Sequence, residues 1–100
     1  MVILKVIFTM KNKAPEQEQK KGLAQLTEVY KKVKGLKQKY FLADPRTGDA
    51  GGLYIFESQA ALDEYLKSDV YKNVVLQNSK GQPKLEQYIV IATTDAGVLI

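Results

Sequence analysis

The strand-like segments of this chain are apolar at both alternating positions, and that constrains its fold more than any other feature. Val2, Leu4, Val6 and Phe8 form one apolar register of the first segment, and Ile3 and Ile7 form a second, interrupted only by Lys5. Leu53 and Ile55 interleave with Tyr54 and Phe56, while Ile89 and Ile91 interleave with Tyr88, Val90 and Ala92. Successive residues of a strand point to opposite faces. A sheet made of these segments therefore has two faces to cover, whereas a solvated antiparallel sheet keeps one of them polar.

Two helices are available as cover. Pro15 fits a first helical position, where its missing N–H costs nothing, and Glu16 and Glu18 set negative charge against the positive end of the helix dipole. Leu23, Leu26, Val29, Tyr30 and Val33 recur at three- and four-residue steps as one apolar stripe. Gly35 follows as a natural stop. Gly22 marks either a weak first turn or a close contact. A second helix starts at Ser58, a capping residue, and buries Leu62, Tyr65, Leu66 and Val70; Ser68 to Leu76 holds a further short helical turn.

Around these helices lie four strands: Val2 to Thr9, Leu36 to Leu42, Gly52 to Phe56 and Leu85 to Thr93. Leu36, Gln38, Tyr40 and Leu42 fall on one side of the second, Lys37, Lys39 and Phe41 on the other. Asp44-Pro45-Arg46-Thr47-Gly48 supplies the turn that joins the second strand to the third. The order strand, helix, strand, strand, helix, strand reads as a single α+β domain over residues 1–100, ferredoxin-like βαββαβ, with a four-stranded antiparallel sheet and both helices on one face.

Two helices cover one face only. An open apolar face would exceed the roughly few hundred Å² that monomers expose, and the economical remedy is pairing of sheets between two copies, a homodimer. The competing reading is a monomer with one edge strand rich in apolar residues. At the C-terminal tail, Val98-Leu99-Ile100 either docks on a surface or frays.

Absences narrow the chemistry. The sequence contains no cysteine, histidine or tryptophan, which removes disulfides, thiolate nucleophiles, the commonest metal ligands and the usual general base near neutral pH. The acidic residues show no paired metal-ligand spacing, so neither metal nor cofactor is expected. The net charge of +4 rests on fourteen lysines and one arginine, Arg46. Nucleic-acid readers lean on arginine, and the lysines at Lys20, Lys21, Lys31, Lys32 and Lys34 read as a solvated helix face. An RNA-recognition module shares the element order, but Ala50-Gly51-Gly52-Leu53-Tyr54-Ile55-Phe56 and Lys5-Val6-Ile7-Phe8-Thr9 lack its stacking platform. No apolar run of about 18 residues is present and no signal-peptide pattern, so a cytoplasmic protein without nucleic-acid or membrane partners is expected.

The segment from Gly35 to Leu66 resembles the YdhR-type monooxygenases. These belong to the dimeric α+β barrel superfamily, which also holds the antibiotic-biosynthesis monooxygenases. The shared pattern is Gly35-Leu36, Lys39, Gly51-Gly52, Tyr54, Phe56 and the helix from Ala60 to Leu66. The resemblance implies a dimer with a small-molecule cavity in each subunit, between sheet and helices. It also implies oxidation of anthrone- or quinol-like aromatics by dioxygen without metal or flavin. Members of the group use tryptophan, histidine, asparagine and arginine in that pocket; this chain has neither of the first two, and Arg46 falls in a loop.

Candidate site residues follow from position. Lys39, in mid-strand, stabilises an enolate or phenolate oxygen, or else it snorkels at the sheet edge or pairs with Glu86 or Glu57. Tyr40, Tyr54, Tyr65 and Tyr88 lie on elements that converge on one core, where a tyrosine hydroxyl needs a partner, and Phe56 adds an apolar wall. Lys39 and Tyr54 are thus the candidate catalytic residues, and Tyr40, Tyr54, Phe56, Tyr65 and Tyr88 the candidate substrate-binding set. Gly51-Gly52 permits close backbone approach to a ligand or forms a bulge. The function read from all this is a cofactor-independent monooxygenase acting on a small aromatic or enolisable substrate. The alternative is a non-catalytic, ligand-binding or stress-related dimer on the same barrel, since fold does not fix function.

Overall fold

β-Branched residues at Val2, Ile3, Val6 and Ile7 favour an extended backbone, and the computed structural model, which describes residues Met1–Ile100, begins with strand β1 over Val2–Phe8. Helix α1 spans Glu16–Lys31. Pro15 stands one position before the expected one: its ψ of 153° is extended and its carbonyl accepts the first helical bond, from the Gln19 N–H at 2.9 Å. It caps the helix and stays outside the first turn. Gly22 lies inside α1 with no atom within 4 Å of where a Cβ would sit, so it marks no close contact. Past the helix, Gly35 takes φ +78°, and a Cβ there would lie 2.4 Å from the Cβ of Ala61. The left-handed turn and the approach of the second helix both require glycine.

Strands β2 (Leu36–Ala43) and β3 (Ala50–Phe56) form the expected hairpin. Helix α2 (Gln59–Leu66) is capped by Ser58, whose Oγ accepts from the Ala61 N–H at 3.2 Å. The further helical turn is a three-residue helix, α3 (Asp69–Tyr71), that runs into a π-helical segment at Lys72–Leu76. Strand β4 covers Lys84–Ile89. The sheet order is β2-β3-β1-β4 with every neighbour antiparallel. This is the ferredoxin-like βαββαβ arrangement, with the helices on one face.

Pairing fixes what each face carries. Val2, Leu4 and Val6 of β1 and Tyr54 and Phe56 of β3 share the helix side and are buried with Tyr30, Leu62, Tyr65, Tyr71 and Val75. Ile3, Ile7, Leu53, Ile55, Tyr40 and Tyr88 share the open side. That face is apolar as expected, except that Lys5 and Glu86 meet across β1 and β4 at 3.9 Å.

Three expectations need correction. The last strand stops at Ile89, which pairs with Val2, and beyond it the Val90 N–H donates to the Met1 carbonyl. Ala92–Thr93 (β5) instead pairs with Gly97–Val98 (β6) in a separate ribbon, turned by Gly97 at φ +75°. The apolar tail extends this ribbon through its backbone, the Leu99 N–H donating to the Ile91 carbonyl, while Val98 and Ile100 stay 75% and 84% exposed. Finally, Leu36 does not share a side with Gln38. The register shifts between them, so Leu36 pairs with Phe56 and faces the helices while Gln38 pairs with Ile55 and faces away. Lys37 is the extra residue of a β-bulge. No helix is long and apolar enough to cross a membrane.

Candidate functional site

Lys39 pairs with Tyr54 in the β2–β3 ladder, which sends its side chain to the helix side of the sheet. It could not lie there beside a larger neighbour. A Cβ on Gly52 would fall 2.9 Å from the Lys39 Cε and 2.9 Å from the Tyr54 Cε1, so the second glycine of the Gly51-Gly52 pair leaves room for both. The ammonium ends among aromatic faces: Nζ is 3.2 Å from the ring centroid of Tyr30, 4.2 Å from that of Phe41 and 4.5 Å from that of Tyr54. It joins neither Glu86, which pairs with Lys5, nor Glu57. Burial lowers its pKa to about 7, while the ring faces favour the charged form.

Lys39 and Phe41 separate two hollows. The inner one, about 330 Å³, lies between the sheet and α1 and is mostly apolar. Phe8 and Tyr54 form its floor, Leu23 and Leu26 come from α1, and Val74 and Val75 come from the π-helical segment. π turns frequently lie at functional sites, and Asn73 of this one lines the hollow. The cavity also bears on one residue of the α1 stripe, whereas Val29, 39% exposed, lies away from it. Leu23 remains 43% exposed because it borders the hollow and not the sheet. The outer hollow, a cleft of about 220 Å³, is lined by Thr27, Tyr30, Lys31, Lys37, Gln38 and Lys39 among others.

Beneath the inner cavity three tyrosine hydroxyls meet. Tyr65 Oη lies 2.6 Å from Tyr30 Oη and 2.9 Å from Tyr54 Oη, and the three rings are mutually tilted at centroid distances of 5.0–5.9 Å. Burial raises the pKa of all three, furthest for Tyr54 and Tyr65, so they are neutral hydroxyls and not phenolate bases. Three hydroxyls joined by two hydrogen bonds carry three protons, which leaves one O–H for another acceptor, at an end of the chain when both bonds run the same way. Tyr54 is the end that lines the inner cavity and Tyr30 the end that lines the cleft.

Of the residues singled out from sequence, Lys39, Tyr54, Phe56 and Tyr65 come together. Lys39 and Tyr54 line the cavity, while Phe56 stacks on Tyr54 at 6.0 Å and Tyr65 lies behind it as hydrogen-bond partner. Tyr40 and Tyr88 do not converge with them, because their register places both on the open face, 50% and 54% exposed. Tyr88 there donates to Glu86 at 2.6 Å, a bond that lowers the Glu86 pKa and raises that of Tyr88. Sequence reasoning placed Tyr30 in the apolar stripe and gave it no part in the site. The signal it carried was a phenolic hydroxyl among aliphatic residues, which must find a partner once buried. No three acidic side chains gather into a metal-ligand group.

Known proteins are similar to this chain in sequence profile and in fold. The sequence profile of the family described as "Putative mono-oxygenase ydhR" matches residues 3–93. Among solved structures, a protein of unknown function from Nitrosomonas europaea is similar at TM-score 0.70 and 16% identity, over 93% of this chain and 91% of that one. SnoaB, a cofactor-independent oxygenase from Streptomyces nogalater, is similar at TM-score 0.64 and 11% identity, over 93% and 95%. A dabb family protein with a ferredoxin-like fold from Mesorhizobium loti is similar at TM-score 0.64 and 17% identity, over 91% and 97%. At these identities the likeness is one of fold alone. No curated protein matches the chain in sequence.

Proposed function

The chain belongs to the ydhR mono-oxygenase family, and from that premise we propose that its inner cavity binds a small aromatic or enolisable molecule and directs its oxidation by dioxygen without a cofactor. The observation that carries this reading is the Lys39 amine, free of any carboxylate and set in the wall of an apolar cavity.

An amine whose pKa lies near 7 exists in both forms at neutral pH. Its neutral form accepts the acidic proton of an activated C–H or O–H. The ammonium so formed then stands beside the enolate or phenolate oxygen, in surroundings where a charge pair is worth more than in water. With Tyr30 donating to Tyr65 and Tyr65 to Tyr54, the Tyr54 O–H is left free and offers that oxygen a second hydrogen bond. Apolar walls from β1, α1 and the π-helical segment exclude water from the carbanion, which reacts with dioxygen. For an activated methylene the balance closes without a reductant: the carbon becomes a carbonyl, one oxygen atom stays on it and the other leaves as water.

Two copies complete the protein in this reading. The open face of each sheet, with Ile3, Ile7, Leu53 and Ile55 half-buried at its centre, packs against that of a second copy as a homodimer.

The test is oxygen uptake by the purified protein with a panel of anthrones, naphthols and hydroquinones. Uptake above the uncatalysed rate, lost in Lys39→Ala and reduced in Tyr54→Phe, is the expected result. Tight binding of a panel member with no uptake above background sinks the oxygenase and leaves a non-catalytic ligand carrier. One feature favours that second reading: two of the three tyrosine O–H groups are spent on one another, as in a site that only holds its ligand.

A further inference from the structure

The two hollows that meet at Lys39 differ in chemistry. The inner one is walled by Phe8, Leu26, Tyr54 and Val75 and suits a flat apolar body. The outer one is lined by Lys31, Lys37 and Lys39, with Thr27 and Gln38, and by no carboxylate. Of its three cations only Lys31 is neutralised, by Glu28 at 2.8 Å; Lys37 and Lys39 take part in no ion pair.

The backbone is adapted to produce this grouping. In a regular strand Lys37 and Lys39 would share a side and Leu36 would oppose them. The bulge at Lys37 lets Leu36 face the helices while Lys37 and Lys39 still border one cleft, and bulges beside binding sites commonly re-aim a side chain in this way. Gly52, across the ladder, gives Lys39 its path between the hollows. Lys37, and Lys39 in its protonated form, place uncompensated charge at the mouth of an apolar cavity, which attracts anions and holds them by charge-assisted hydrogen bonds.

We propose that the hollows form one bipartite site whose ligand is an aromatic carboxylate, its ring system in the inner cavity and its carboxylate in the outer cleft between Lys37 and Lys39. This names the ligand class of the cavity and rests on the reading of that cavity as the ligand site. Lys39, lining both hollows, is the junction: it faces the ring substituents on one side and the carboxylate on the other. Lys37 is the selectivity residue, distant from the reacting carbon and specific to the anion.

Titration calorimetry of the full-length protein with a matched pair, hydroxynaphthoate and naphthol, tests the assignment at neutral pH. Hydroxynaphthoate binds about tenfold tighter than naphthol. In Lys37→Ala that ratio collapses toward one, and in Lys37→Arg it is retained. Raised salt lowers the ratio in the wild type. Equal affinities in the wild type, or a Lys37→Ala variant that weakens both ligands alike, overturn the carboxylate assignment while leaving the cavity as a ligand site. Binding of neither molecule overturns both.

Discussion

The Lys39 ammonium rests 3.2 Å from the centroid of the Tyr30 ring and has no acidic partner. A charge placed this way costs stability, because burial penalises the charged form and the ring faces return only part of that cost. A lysine held with so little recompense is what a functional site looks like when stability is given up for reactivity.

Replacing it therefore stabilises the protein, in a pH-dependent way. The Lys39 pKa is lowered to about 7, against roughly 10.4 for an unfolded lysine. Between those values the unfolded state binds more protons, so wild-type stability rises with pH across that window. Below it both states are protonated and the full cost of burial is present. Lys39→Met keeps the stem and removes the charge. Its gain, roughly 1–2 kcal/mol near pH 6 after allowing for solvent screening and the rings, fades toward pH 10. Urea unfolding at the two pH values measures it, and a variant less stable than wild type at pH 6 contradicts this account.

Tyr65 is the middle of the hydroxyl chain and Tyr54 an end. Tyr54→Phe removes one hydrogen bond and leaves Tyr65 still paired with Tyr30, at a cost of about 1 kcal/mol. Tyr65→Phe strands two buried hydroxyls and costs about 2–4 kcal/mol. Thermal or urea unfolding of both variants gives the order, and equal costs would show that the hydroxyls do not act as a chain.

Gly52→Ala pits a new methyl against the Tyr54 ring and the Lys39 stem, each at 2.9 Å. The lysine end can shift; the buried ring cannot. Overpacking of this kind costs about 1–3 kcal/mol, and the displaced lysine weakens ligand binding at the same time. Unfolding curves and calorimetry on the same sample check both effects, and unchanged binding with normal stability would place Lys39 elsewhere.

The open sheet face predicts a solution mass near twice 11.2 kDa by light scattering coupled to gel filtration. Ile55→Lys puts a charge at the centre of that face, where Ile55 lies opposite Ile3 in the ladder, and yields a monomer with a native circular dichroism spectrum. A wild-type monomer would remove the sheet-pairing argument.

Much of the fold is legible locally. The β-branched run of β1, the capping serine at Ser58, the glycine at Gly35 and the three- and four-residue spacing of α1 are each decided by residues close in sequence, through backbone sterics and one-sided burial. The apolar character of both sheet faces is legible in the same way, since it needs only the period of a strand.

What stayed hidden is whatever depends on register. The bulge at Lys37 moves Leu36 to the other face, and nothing in the run from Leu36 to Leu42 signals it, because the shift is set by pairing with Phe56 and Ile55 of β3. The face of Tyr88 likewise follows from its strand partner, Ile3, whereas strand alternation by itself already sets Tyr40 opposite Lys39.

The sequence by itself thus determined the order of elements, the need to cover two apolar faces and the absence of cysteine and histidine chemistry, all of which follow from local sterics and composition. Tertiary structure alone decided that Tyr30 and Tyr65, 35 positions apart, share a hydrogen bond, and that Lys39 stands over an aromatic ring. Those contacts arise only where chain segments pack across the core, and no local pattern encodes the distance between them.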